Sequence, residues 1–153
     1  MGIMTDYFVA TAGRAAAVVE HGPAGEPDLP TLEMKWVEPA VLGSSLWAII
    51  EGVPAEGDRV PLDLDRYDAA GEIVGAADGY GHGVLRIADG FVRALAGLAD
   101  DRIPAVAAVW SRCEEWIGDW EPGELDDTVL GLRDLAREVT RPDLGMYMWW
   151  SGP

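Results

Sequence analysis

The 153-residue chain has one cysteine (Cys113), one lysine (Lys35) and two histidines (His21 and His82). Each scarcity removes a class of explanation. A lone cysteine excludes an intrachain disulfide, and a reducing compartment is the simplest setting. The two histidines do not stand at metal-ligand spacing, and Cys113 is far from both. One lysine among 11 basic residues, set against 27 Asp plus Glu, gives a formal charge of −16. That imbalance repels nucleic acid and anionic membrane, and there is no basic patch to oppose it. The longest apolar region, Val41 to Ile50, is too short to span a bilayer. The segment Met1–Gly13 has no basic n-region and is interrupted by Asp6, so it reads as neither a signal peptide nor, with Asp6 in place of Ser or Thr, a myristoylation motif. The expectation is a cytoplasmic protein with no membrane and no nucleic-acid partner. Its richness in Ala, Gly, Arg and Asp suggests a high-GC bacterial genome.

What is present is apolar and aromatic. Hydrophobic residues make up 49% of the chain and seven are tryptophan, a composition that supports a packed core rather than disorder. Tyr7-Phe8-Val9 reads as a strand, and Thr11 as the cap of a helix through Ala15 and Val18, closed by Gly22. Thr31 to Val37 alternates, with Leu32, Met34 and Trp36 on one face, and so reads as a half-buried strand. Pro39 opens a helix running to Glu51 with Gly52 as its stop. From residue 53 to 83 periodicity fails amid glycine, proline and aspartate. A long irregular loop with one short helix is expected there. Val84–Ala88 reads as a strand, and Asp89 caps a helix through Phe91, Val92 and Leu95. From Pro104 a further helix places Val106, Trp110, Cys113 and Ile117 on one stripe; Leu125, Val129, Leu132, Ala136 and Val139 form another. Met146–Trp150 closes the chain as a strand. Strands at the start, middle and end with helices between give an α/β or α+β fold. It is expected as a single compact domain over 1–153, with one small sheet that includes both terminal strands and is covered by helices.

No constellation specifies a reaction. Asp63, Asp65 and Asp68 cluster, but Asp68 and Val74 stand where an EF-hand loop needs Gly and Glu, so they read as solvated loop charge. Cys113 falls on an apolar stripe and reads as a small buried hydrophobe, not a nucleophile. Gly79-Tyr80-Gly81-His82-Gly83 lacks the phosphate-loop lysine and reads first as a tight turn, with ligand binding through Tyr80 and His82 as the alternative. No catalytic residue, metal site or cofactor is assigned. Trp116, Trp120 and Trp149 are candidates for an exposed aromatic patch, with Glu115, Asp63 and Asp65 as accompanying charge.

The motifs Tyr7-Phe8, Leu46-Trp47-Ala48-Ile49-Ile50-Glu51-Gly52, Trp110-Ser111-Arg112-Cys113-Glu114-Glu115 and Met146-Tyr147-Met148-Trp149-Trp150 occur in an order that resembles small uncharacterised actinobacterial proteins. More distantly, they are similar to the YfbM-like family of unknown function. The resemblance implies a compact α/β fold and carries over no catalytic residues. The function expected from the residues is that of a non-enzymatic acidic module binding a basic protein, as an immunity or inhibitor protein does. Acidic charge would supply steering and aromatics the anchors. The alternative is a small-ligand binder or enzyme built on Tyr80 and His82.

Overall fold

Two hydrophobic strands, one at each end of the chain, lie side by side. In the computed structural model, β1 (Met4–Thr11) pairs antiparallel with β5 (Leu144–Ser151), from Met4 opposite Ser151 through Thr11 opposite Leu144. The structure describes residues 4–35, 37, 39–57, 60–61, 71–77, 81–114, 116, 120–121 and 123–152. Around this pair grows a five-stranded antiparallel sheet in the order β2-β1-β5-β4-β3, where β2 is Thr31–Leu32, β3 Gly71–Ala77 and β4 His82–Ile87. The architecture is α+β, with helices packed on the sheet and both terminal strands at its centre.

Alternation along the central strands gives the sheet two apolar faces. Tyr7, Val9, Ile87, Met146 and Met148 point into the larger core. That core is closed by α2 (Ser44–Ile50), α3 (Asp89–Ala96), α4 (Ile103–Trp110) and α5 (Glu124–Ala136). Phe8, Ala10, Val84 and Tyr147 point the other way, against Ala15, Val18 and Leu29 from α1 (Ala12–Ala17) and the chain beyond it. Phe8 stacks on Tyr147 with ring centroids 5.6 Å apart. Trp149 and Trp150 are therefore divided between the two faces: Trp150 packs on the helix-covered core and Trp149 on the α1 side, where its Nε1–H donates to the Val19 carbonyl at 3.0 Å.

The helix boundaries follow local chemistry. The Thr11 hydroxyl accepts from the Arg14 backbone N–H, the expected N-cap, and Gly22 past the end of α1 has φ +75°. Gly52 follows α2 with φ +84°. Pro39–Gly43 forms a wider π turn before α2. Arg102 donates to the Ile50 carbonyl and Arg137 to the carbonyls of Ala96 and Leu98, so cations meet the C-terminal ends of α2 and α3.

Three expectations require correction. Residues 71–77, read as part of an irregular loop, form strand β3, and β4 begins at His82 rather than Val84. β3 is an edge strand with Ile73 and Val74 exposed, so it lacks the buried face that makes alternation visible. The strand expected over Thr31 to Val37 is regular only at Thr31–Leu32. Beyond it the alternation persists, with Met34 buried and Glu33 and Lys35 exposed, but the chain is held by single contacts. Met4 bridges Lys35, the Tyr7 hydroxyl donates to the Val37 carbonyl at 2.7 Å, and the Thr5 hydroxyl accepts from the Val37 N–H at 3.3 Å. Finally, the stripe of Val106, Trp110 and Cys113 is not one helix face. α4 ends at Trp110, and Cys113 enters the same core from the turn beyond it. Trp36 and Ile117 lie outside the described residues.

Trp110 is fully buried and its indole N–H donates to the Leu42 carbonyl at 2.9 Å. Trp110→Ala is expected to cost about 3–5 kcal/mol in denaturant unfolding, through cavity formation and the orphaned carbonyl. A loss below about 1 kcal/mol would show that the core does not depend on it. Gly83 gives a second check. A Cβ there would sit 2.6 Å from the Gly75 carbonyl oxygen and collide with the Trp150 ring. Gly83→Ala should destabilise by about 2 kcal/mol and loosen the β3–β4 edge, seen as faster hydrogen exchange in residues 71–77. Unchanged stability would contradict the close approach.

Candidate functional site

Three tryptophans form a continuous stack from the core to the surface. Trp110, at the end of α4, is fully buried. Trp116 packs edge-on against it, with centroids 4.8 Å apart and rings at 76°, and donates its indole N–H to the Trp110 carbonyl at 2.9 Å. Trp120 packs edge-on against Trp116, at 5.0 Å and 74°, and is 38% exposed. Edge-to-face geometry suits the aromatic quadrupole and adds to the burial term. The outermost ring is thereby held by a chain of contacts that ends in the core. An exposed aromatic held in place loses little freedom on binding a partner.

Trp120 is a wall of two surface grooves. One, of about 350 Å³, lies between α4 and the start of α5 and is lined by Pro104, Ala107, Ala108, Leu125, Glu121 and Asp126 among others. Among the described residues its charged lining side chains, Glu121 and Asp126, are both acidic. The second, of about 210 Å³, is lined by Trp116, Trp120, Met34, Val37 and Thr128 with Glu33 and Lys35. The turn into α5 is built locally: Gly123 takes φ +93°, and the Glu124 carboxylate accepts from the Glu121 backbone N–H at 2.8 Å. Glu124, Asp126 and Asp127 occupy the first turn of α5, where negative charge meets the positive end of the helix dipole.

Elsewhere on the chain, arginines are paired with carboxylates. Arg14 bonds Asp28 and Glu26, Arg86 bonds Asp89, Arg133 bonds Asp100 and Asp134, and Arg141 bonds Asp143. Hydrogen bonds from these guanidinium groups hold the carboxyls of Asp28 and Asp100 below the ordinary carboxylate range. Much of the small complement of cations is thus matched locally, and the acidic surplus dominates the field seen from solvent.

The sequence candidates are not gathered into one site. Trp116 and Trp120 are brought together, but Trp149 lies on the opposite face of the sheet, so the three do not form a single patch. Asp63, Asp65, Glu115 and Tyr80 lie outside the described residues. His82 starts β4 and its Nε2 lies 3.3 Å from a Glu20 carboxylate oxygen. Cys113 is buried. Among the described residues, no three His, Cys, Asp or Glu side chains are grouped so as to hold a metal ion, and no helix is long and apolar enough to cross a membrane. Sequence reasoning missed Glu121 and Asp126 as groove residues. The spacing of Trp110, Trp116 and Trp120 was the available signal, but α4 ends at Trp110, so helical period does not relate the three. No family model, curated protein or solved structure matches the chain.

Sequence reasoning also missed Asp6. It is buried on β1, and among the described residues its Oδ1 has no hydrogen-bond partner. Burial, then the nearby charge of Glu33, pushes its pKa above the ordinary value, with a backbone hydrogen bond from Met34 acting in the opposite sense. A carboxyl whose pKa is raised by folding binds more protons in the folded state. Its penalty is absent below the ordinary carboxylate pKa and grows as pH rises through the raised one. Asp6→Asn should therefore raise the melting temperature at neutral pH, and the gain should disappear on acidification. Equal melting curves at both extremes would contradict the assignment.

Proposed function

We propose that the chain is a non-enzymatic acidic protein-binding module that acts on a basic partner, as an immunity or inhibitor protein of a bacterial cytoplasm does. Its contact surface in this reading is the Trp116–Trp120 face. The observation that carries the proposal is Trp120, exposed between two grooves and held by edge-on stacking through Trp116 to buried Trp110. Buried anchors flanked by charge are the usual source of interface energy, and aromatic residues dominate such anchors. The net charge of −16 supplies long-range attraction for a basic surface. The YfbM-like relationship enters the proposal as an expectation about ancestry and adds no partner. The alternative site at His82 draws no comparable support from its pairing with Glu20.

The test is affinity capture from the native host with the wild-type chain and with Trp120→Ala in parallel, followed by surface-binding kinetics on the captured protein. The association rate should fall steeply with salt, as the screening length shortens from about 30 Å at 0.01 M to about 8 Å at 0.15 M. Trp120→Ala should raise the dissociation rate by about tenfold or more while leaving the melting temperature near that of wild type. A partner whose association ignores salt and whose dissociation ignores Trp120 would overturn the proposal.

A further inference from the structure

The two grooves beside Trp120 differ in charge, and the difference selects an occupant. The larger, between α4 and α5, combines apolar, aromatic and acidic surface. Its apolar lining comes from Pro104, Ala107, Ala108 and Leu125. One wall is the Trp120 indole, and two lining side chains, Glu121 and Asp126, are carboxylates. Among the described residues neither carboxylate takes part in a salt bridge, whereas neighbouring Glu124 is engaged in capping the Glu121 backbone N–H. The smaller groove is lined by both Glu33 and Lys35, whose charges offset each other.

We infer that the α4–α5 groove is a specificity pocket for a single arginine side chain of the basic partner. This rests on the reading of the Trp116–Trp120 face as the contact surface. Each part of an arginine side chain has a counterpart. The methylene stem covers alanine, proline and leucine carbon; the planar guanidinium lies against the indole; its N–H groups reach Glu121 and Asp126. Arginine is preferred to lysine because a delocalised, weakly hydrated cation loses less on leaving water and has several directed donors for two carboxylates. The volume, about 350 Å³, lies within the range of small-molecule pockets and holds one long side chain rather than a folded segment. The chain already forms this arrangement internally. The Arg86 guanidinium carbon lies 5.8 Å from the Tyr147 ring centroid while Arg86 bonds the Asp89 carboxylate at 3.2 Å.

The test is an NMR titration of the uniformly 15N-labelled chain with acetyl-Gly-Arg-Gly-amide, following the seven indole N–H signals. Trp120 is assigned from the Trp120→Phe spectrum, in which the indole signals other than that of adjacent Trp116 keep their positions and so confirm folding. Control peptides replace arginine with citrulline, a neutral isostere, and with lysine. The expected result is a saturable shift of the Trp120 indole with the arginine peptide at low salt, a weaker one with lysine and none with citrulline. Glu121→Gln combined with Asp126→Asn should weaken the arginine peptide by about fivefold. Equal binding of citrulline, tighter binding of lysine, or indifference to the double substitution would overturn the assignment, as would the absence of any shift. If the arginine peptide fails while Trp120→Ala still destabilises the partner complex, the pocket assignment alone falls. If the complex is also indifferent to Trp120, the contact surface falls with it.

Discussion

The pairing of the two chain ends as β1 and β5 is the constraint from which the rest of the structure follows. These strands hold the centre of the sheet and send apolar side chains to both of its faces. Two cores result because the alternation of a half-buried strand is filled with hydrophobic residues on both sides: Tyr7, Val9, Met146 and Met148 on one, Phe8, Ala10 and Tyr147 on the other. Each face then requires its own cover. Helices α2 to α5 provide one, while α1 and the segment through Leu29 provide the other. Closing such a pairing over almost the full length of the chain carries a large loop-closure cost, which the continuous burial of both strands offsets.

The Trp110–Trp116–Trp120 stack connects that core to the surface. Trp110 is fixed by burial and by its bond to Leu42; Trp116 is fixed by Trp110; Trp120 is fixed by Trp116. The order of the exposed ring is thus inherited from the core by contact. Buried Arg133 is matched by Asp100 and Asp134, and Arg102 and Arg137 close helix ends, while Glu121 and Asp126 line the groove beside this ring. An aromatic ring held in place beside acidic side chains is the arrangement on which the proposed recognition of a basic partner rests.

Much of the fold was legible because its signals are local. Thr11, Gly22 and Gly52 mark helix ends by capping and positive φ, and the α5 stripe of Leu125, Val129, Leu132 and Ala136 has the helical period of a one-sided burial. β3 was not legible. Its Gly-Glu-Ile-Val-Gly-Ala-Ala sequence carries no buried face, and its strand state is imposed by pairing with β4, a non-local cause. The same distinction governs the candidate site. Trp116 and Trp120 could be named from the excess of tryptophan in the composition. The division of Trp149 from them depends on register across the sheet, and the acidic groove depends on how α4 meets the turn before α5. Neither is written in any single segment.

The central claim is that binding energy is gathered on the face centred on Trp120. Hydrogen exchange of the chain, alone and bound to its captured partner, tests it most directly, because protection reports location without any substitution. Added protection should concentrate at Trp116, Trp120, Glu121 and the first turn of α5, with the α1 side of the sheet unchanged. Protection confined to the β3 edge or to the segment around His82 and Glu20 would contradict it.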